Sequence, residues 1–288
     1  MFCYNPDIKT YWDDKLFKWQ DYLQPCGKCP ACRINSKREW VVRMAHELKD
    51  WSHNAFVTLT YDDSALPANG SLDKQEIRKF LKRLRERLDR LCNGRRFKYY
   101  LVGEYGEKRL RPHYHAILFG VDPSDIEHIR HCWPYGFVRA DPVDPGAIKY
   151  VVGYVQKKQM KEDGREWLSY HERNVAPVFS LVSSKPTIGA TYFNERRTHI
   201  ILKRGYTLAF GCKTGLPRLF RRKFENVDER KLKNEQLDEN TTAFLERLNK
   251  IASEYGSENV WRRYFDEVEQ RYKNWEAKQR LRKPRDVE

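Results

Sequence analysis

His113 and His115 flank Tyr114 in "RPHYHAILFG", immediately ahead of an apolar run. If "HYHAILF" is a strand, its side-chain period of two puts His113, His115, Ile117 and Phe119 on one face and Tyr114, Ala116 and Leu118 on the other. Two imidazoles then point the same way. Upstream, "FKYYLVGEYG" has strand composition, and "GEKRLRP" between the two segments is a hairpin-type loop. A carboxylate such as Glu104 can therefore stand beside the imidazoles, with Glu107 in the loop as a competitor. Two histidines and a carboxylate bind a divalent ion and leave positions open for a substrate oxygen. An H-x-H pair on a half-buried sheet face also serves purely structural roles, so the pair alone does not decide the chemistry.

A second constellation lies in "DPGAIKYVVGYVQKK". As a helix at about 100° per residue, Ile148, Val151, Val152 and Val155 form a core face. Tyr150, Tyr154 and Lys157 gather on another side, with Lys158 at its border. A Y-x3-Y pair by itself is an ordinary amphipathic surface feature. Beside a divalent ion and within a basic protein, two phenols one turn apart with a lysine nearby are parts for phosphoryl transfer to tyrosine. Two tyrosines imply two transfers.

Cysteine supplies a third cluster. "PCGKCPAC" places Cys26, Cys29 and Cys32 around one point, and Cys3 in "MFCYNP" can return to complete a tetrahedral zinc site or, less favoured, to hold an iron–sulfur cluster. Ordinary reduced thiols are the plain alternative, because a second C-x2-C pair is missing.

The elements that must position these groups follow from the whole chain. Its 288 residues suffice for one large domain or for a catalytic domain with an appendage. The 55 Lys and Arg exceed the 40 Asp and Glu, giving +15, and they are mixed with tyrosine and tryptophan as expected where phosphates are neutralised and bases stacked. Nucleic acid is the expected partner. Neither a leader-like N-terminus nor an apolar run of about 18 residues is visible, so a cytosolic, non-membrane protein is expected. A phosphate-binding G-x4-G-K-[ST] loop is also absent from the sequence.

Residues 1 to about 35 read as irregular, followed by a helix to about Trp51 and a buried strand in "AFVTLTY". "SLDKQEIRKFLKRLRERLDRLC" is a helix with Asp73 as N-cap, Glu76 three residues on, and Ile77, Phe80, Leu81, Leu84, Leu88 and Leu91 on its apolar side. A helix in "DPSDIEHIRHCW", a short strand in "GFVRADP", a loop-rich stretch from about 161 to 200, a strand in "GYTLAFG" and a charged helical tail from about 238 complete the pattern. Strands and helices without regular βαβ units predict an α+β fold, a central, largely antiparallel sheet covered by helices. The expected organisation is a Cys-rich segment over 1–45, a catalytic domain over 46–225 and a charged helical tail over 226–288.

"FVTLTY", "RPHYHAILFG" and "YVVGYVQKK", in that order and spacing, resemble the HUH endonucleases that initiate rolling-circle replication, in the class with two tyrosines. The early "PCGKCPACR", the "SLDKQEIRKFLKRLR" helix, "KPTIGATYF" and "PRLFRRKF" narrow the resemblance to the replication initiators of microviruses, especially the gokushovirus group. The resemblance covers about residues 1 to 225. It implies an HUH-like fold, with His113 and His115 as the metal-binding histidines, Tyr150 and Tyr154 as paired nucleophiles, and Lys157 as the lysine of Y-x-x-K. Glu104 suits a third ligand on the preceding strand. It further implies Mg²⁺ or Mn²⁺, a nick in one strand at the phage origin of double-stranded replicative DNA, a 5′-phosphotyrosine link, and a free 3′-OH that primes synthesis. The second tyrosine would then cut single-stranded origin DNA regenerated by a round of synthesis. Unwinding and polymerisation would fall to a host helicase and DNA polymerase in the bacterial cytoplasm. A plasmid-type initiator or transposase of the same chemistry, and a non-catalytic basic DNA-binding protein, remain as alternatives.

Overall fold

The computed structural model describes all residues except 1–2, 4–5, 14–16, 68, 107–108, 159–169, 193–205, 224–245 and 282–288. The chain divides into two compact units, one made of residues 37–222 and one of residues 1–36 with 223–288.

The larger unit is α+β. Its elements are the end of helix α1 (Pro30–Glu47), β3 (Asn54–Thr60), α2 (Lys74–Leu91), β4 (Lys98–Tyr105), β5 (Pro112–Phe119), α3 (Ile126–Cys132), β6 (Val138–Pro142), α4 (Pro145–Lys158), β7 (Phe179–Val182), a small hairpin of β8 (Thr207–Ala209) with β9 (Cys212–Thr214), and the short helix α5 (Arg218–Lys223). Five strands form one sheet in the order β6-β3-β5-β4-β7, every pairing antiparallel. The histidine strand β5 is central, flanked by β3 and β4.

Both faces of this sheet are covered, which is why β5 is buried along nearly its whole length. On one face Tyr114, Ala116 and Leu118 meet Ile77, Phe80, Leu81, Leu84 and Leu88 of α2 and Ile129 of α3. Fully burying each such aliphatic side chain contributes about 1.5–3 kcal/mol before the entropy cost of ordering it. Gly103 of β4 stands opposite Tyr114, and a Cβ there would lie 3.1 Å from Tyr114, Leu72 and Phe179. On the other face Ile117 and Phe119 pack with Met44 of α1 and with Ile148, Val151 and Val152 of α4. Three of the four aliphatic residues expected on the core side of α4 are therefore in the core; the Val155 side chain lies outside the described ones.

Helix α2 is capped as its sequence requires. The Asp73 carboxylate accepts from the backbone N–H of Gln75 at 2.8 Å and of Glu76 at 2.9 Å. Glu76, three residues on, does not return to the cap; its carboxylate takes Arg83 and the Tyr135 hydroxyl instead. Those two donors, with Lys79, outweigh the effect of burial and hold its carboxyl below the usual range.

Two expectations need correction. Residues 1 to about 35 are not irregular: β1 (Asp7–Asp13) and β2 (Lys18–Gln24) form an antiparallel hairpin, and α1 already begins at Pro30. The hairpin has no Asn-Gly type turn signal, its turn uses Phe17 at φ 47°, and its cross-strand pair, Trp12 with Trp19, is exposed rather than turned to a core. The stretch from 161 to 200 also contains β7, a four-residue edge strand too short for its periodicity to register. The smaller unit further contains the helices α6 (246–255) and α7 (Val260–Leu281). Among the described residues no helix is long and apolar enough to cross a membrane.

Candidate active site

Antiparallel register builds the site. On β5, His113 lies opposite Glu104 of β4 and Thr60 of β3, and His115 lies opposite Thr58 of β3. Directly opposed residues share a face, so both histidines, Glu104 and Thr58 project together under α4. Glu104 Oε1 is 2.9 Å from Nε2 of His113 and 2.9 Å from Nε2 of His115. All three ligand atoms lie within 4.8 Å of one another.

The outer ring nitrogens fix the imidazoles. His113 Nδ1 donates to the carbonyl of Arg111 at 3.1 Å, and His115 Nδ1 contacts Thr58 Oγ1 at 3.0 Å. Phe56 stacks on the His115 ring at a centroid distance of 5.5 Å. A carbonyl only accepts, so His113 carries its proton on Nδ1, and in its neutral form it turns a lone pair toward an oxygen that also carries lone pairs. A cation, or a second proton on each ring, must lie between them.

Glu104 is 1 % exposed, and among the described residues its Oε2 has no hydrogen-bond partner. Burial pushes its carboxyl up, but hydrogen bonds from His113 and His115, with their charge, outweigh burial and hold it below the ordinary value. A buried carboxylate with an orphaned oxygen and two oriented imidazoles suits a divalent cation.

Tyr150 of α4 reaches the same point. Its hydroxyl is 3.3 Å from Glu104 Oε1 and 3.5 Å from His115 Nε2, its ring stands edge-on to His115, and it is 41 % exposed. Tyr114, between the histidines in sequence, faces away. It is fully buried, accepts from the Asp73 backbone N–H at 2.8 Å and meets the Tyr61 hydroxyl at 3.0 Å. Burial first, and then the Tyr61 phenol, push the Tyr114 phenol far above its ordinary value, so it stays neutral. Of these two tyrosines, only Tyr150 can meet a substrate.

Helix α4 runs on through Tyr154 and Lys157, whose side chains lie outside the described ones, as does Glu107 altogether. Sequence reasoning did not single out Thr58, Phe56 or Lys37. Thr58 and Phe56 carry a weak signal in the two-residue period of β3, which puts them on one face. Lys37 carries none: its amine sits where a Cβ on Gly153 would come within 2.6 Å, bringing positive charge to α4 between Tyr150 and Tyr154.

The second cluster lies in the smaller unit. Cys3, Cys26, Cys29 and Cys32 bring their sulfurs within 4.8 Å of one another. Burial pushes the Cys26 thiol up, but the backbone N–H groups of Cys29 and Lys28 outweigh it and set it at about 7, whereas burial and the neighbouring thiols push Cys32 well up.

A family model described as that of the replication-associated protein ORF2 matches residues 54–159, from the start of β3 to just past the end of α4. The match thus spans the histidine strand and the tyrosine helix. The chain is 33% identical over 215 residues to "Replication-associated protein VP4" of Bdellovibrio phage phiMH2K, covering 68% of this chain and 65% of that protein. It is 30% identical over 237 residues to "Replication-associated protein ORF4" of Chlamydia phage 1, covering 75% and 56%, and 32% identical over 216 residues to "Replication-associated protein ORF2" of Spiroplasma virus 4, covering 68% and 64%. The chain therefore spans just under two thirds, or less, of the length of these relatives. No solved structure matches it. With these similarities spread over the sheet, the site and the helix above it, the chain belongs to the replication-associated proteins of microvirus-type phages.

Proposed function

We propose that this protein is a rolling-circle replication initiator of the HUH type, which nicks one strand at the phage origin through a tyrosine nucleophile and later rejoins the ends. The observation that carries the proposal is the convergence of His113 Nε2, His115 Nε2, Glu104 Oε1 and the Tyr150 hydroxyl on one point at the edge of an apolar core. The related phage proteins are named for replication, and the +15 net charge suits a DNA partner.

His113, His115 and Glu104 would hold Mg²⁺ or Mn²⁺. Such an ion, when bound, polarises a phosphodiester and offsets the charge that develops on it. The chain's own groups do the rest. The Tyr150 oxygen attacks phosphorus, a new P–O bond forms to the phenol, and the P–O3′ bond breaks. The phenol gives up one proton and the departing 3′ oxygen takes one up, leaving a 5′-phosphotyrosine and a primer 3′-OH. A phenol with a pKa near 10 is mostly protonated at neutral pH, so the positive charge of Lys157 and of Lys37 is proposed to favour the phenolate. Tyr154, one turn along the same helix, is the second nucleophile. The origin would be met in double-stranded replicative DNA and cut as single strand, with a host helicase and polymerase supplying unwinding and synthesis in the bacterial cytoplasm.

The test is to incubate the full chain and Mn²⁺ or Mg²⁺ with single-stranded oligonucleotides that tile the genome encoding it. A denaturant-resistant protein–DNA adduct on a defined set of oligonucleotides is expected; binding without any adduct favours a non-catalytic DNA-binding protein.

Two outcomes follow from the geometry. Glu104→Gln should raise the Mn²⁺ concentration needed for half-maximal nicking at least tenfold more than Glu107→Gln does, on the order of what loss of an ion ligand costs. The reverse order would place the third ligand in the loop. Thr58→Val keeps the shape of β3 and removes the partner of His115 Nδ1, so nicking should fall roughly 10–100-fold with an unchanged melting temperature. An unaffected rate would mean that His115 needs no such support.

A further inference from the structure

We propose that Cys3, Cys26, Cys29 and Cys32 form a tetrahedral zinc site that holds the smaller unit together. It is independent of the nicking site and stands or falls on its own.

The sulfur spacing selects a single ion. A zinc–thiolate distance of about 2.3 Å gives a tetrahedral edge of roughly 3.8 Å between sulfurs. Cys29 Sγ lies 3.8 Å from Cys3 Sγ, and no two of the four sulfurs are more than 4.8 Å apart. An iron–sulfur cluster interposes several irons and sulfides and spreads its thiolates beyond a single ion's edge. A disulfide needs about 2.05 Å between sulfurs, and all four cysteines are free thiols.

The backbone is arranged for thiolates. The N–H groups of Lys28 and Cys29 point at Cys26 Sγ at 3.4 and 3.3 Å, and that of Cys26 points at Cys3 Sγ at 3.2 Å. Cys29 precedes the first residue of α1, and its sulfur takes the N–H of Cys32 at 3.5 Å, as an N-cap oxygen would. The turn between Cys26 and Cys29 places Gly27 at φ 73°, the left-handed region that favours glycine. Several donors thus face sulfur, which matters for anionic ligands and little for neutral thiols. Four thiolates so close together need a cation between them.

The four ligands join parts of the unit that otherwise share little core. Cys3 precedes β1, Cys26 follows β2, and Cys29 and Cys32 open α1. Tyr264 of α7 is buried in the same unit, and after burial the neighbouring Cys3 and Cys29 are among the causes that raise its phenol. One ion at this junction would fix the base of the hairpin, the helix start and the flank of α7, which is the usual way a small metal module replaces an apolar core.

The experiment measures metal in the full chain purified without chelator. About one zinc per chain is expected, with X-ray absorption showing four sulfur neighbours at about 2.3 Å. The zinc should persist in His113→Ala and in Cys212→Ser, which lies outside the cluster, and be lost in Cys29→Ser and Cys32→Ser. An organomercurial should release it from the native chain. A folded, zinc-free chain, iron in its place, nitrogen or oxygen ligands in the absorption spectrum, or zinc retained by Cys29→Ser would each overturn the site. The absorption spectrum is read on the unaltered chain, so the outcome does not depend on whether the cysteine variants fold.

Discussion

His113→Ala and His115→Ala should each lower origin cleavage by about a hundredfold or more, while DNA affinity and its salt dependence stay within a few-fold of the parent. The size of the effect follows from the site's construction. Each histidine presents Nε2 to the same carboxylate oxygen at 2.9 Å, and each is held from behind, by the Arg111 carbonyl or by Thr58, so no other described side chain is placed to substitute. Alanine removes a ligand and none of the Lys and Arg excess that carries phosphate binding. Cleavage rates with Mg²⁺ and Mn²⁺, set beside a binding titration at two salt concentrations, separate the two effects. Near-normal nicking by both variants would remove the ion from the chemistry.

The tyrosine pair carries the second large effect. Tyr150→Phe and Tyr154→Phe should each retain single cleavage yet yield almost no rejoined circles, and the double variant should form no adduct. A single remaining phenol can accept one 5′ phosphate, and while it carries DNA it cannot make the second cut. Tyr150 meets the ligand cluster directly, whereas Tyr154 lies one turn further on the same helix, so a modest shift of DNA or of α4 can present either to one phosphate. Circle production by either single variant at the parental rate would show that one phenol suffices.

Much of this site was legible in the sequence because it is built from local periods. The alternation of β5 put His113 and His115 on the face of Ile117 and Phe119, and the hairpin loop brought Glu104 opposite His113. The helical period of α4 separated Ile148, Val151 and Val152 from Tyr150. What was not legible depends on long-range contacts or lacks a strong local pattern. Lys37 meets Gly153 across more than a hundred residues, and nothing near either position announces it. The hairpin Asp7–Asp13 with Lys18–Gln24 shows Trp12 and Trp19 to solvent, so it has no buried face for a pattern to mark. The edge strand β7 pairs only with β4 among the described strands, and its four residues give too short a run for alternation to be read. The cysteine cluster falls between these cases: C-x2-C-x2-C announced three ligands, while Cys3 joins them only because the hairpin returns the chain to its own start.

Mapping the covalent link tests the central claim most directly. The unaltered chain, incubated with cleavable single-stranded origin DNA and Mn²⁺, is trapped in denaturant, digested with protease and nuclease, and its nucleotide-bearing peptides are sequenced by mass spectrometry. The expected result is a phosphotyrosyl nucleotide on the peptide from α4, at Tyr150 and at Tyr154, with the DNA attached through its 5′ phosphate. An adduct at another residue, a link through the 3′ end, or efficient nicking with no covalent link at all would contradict it.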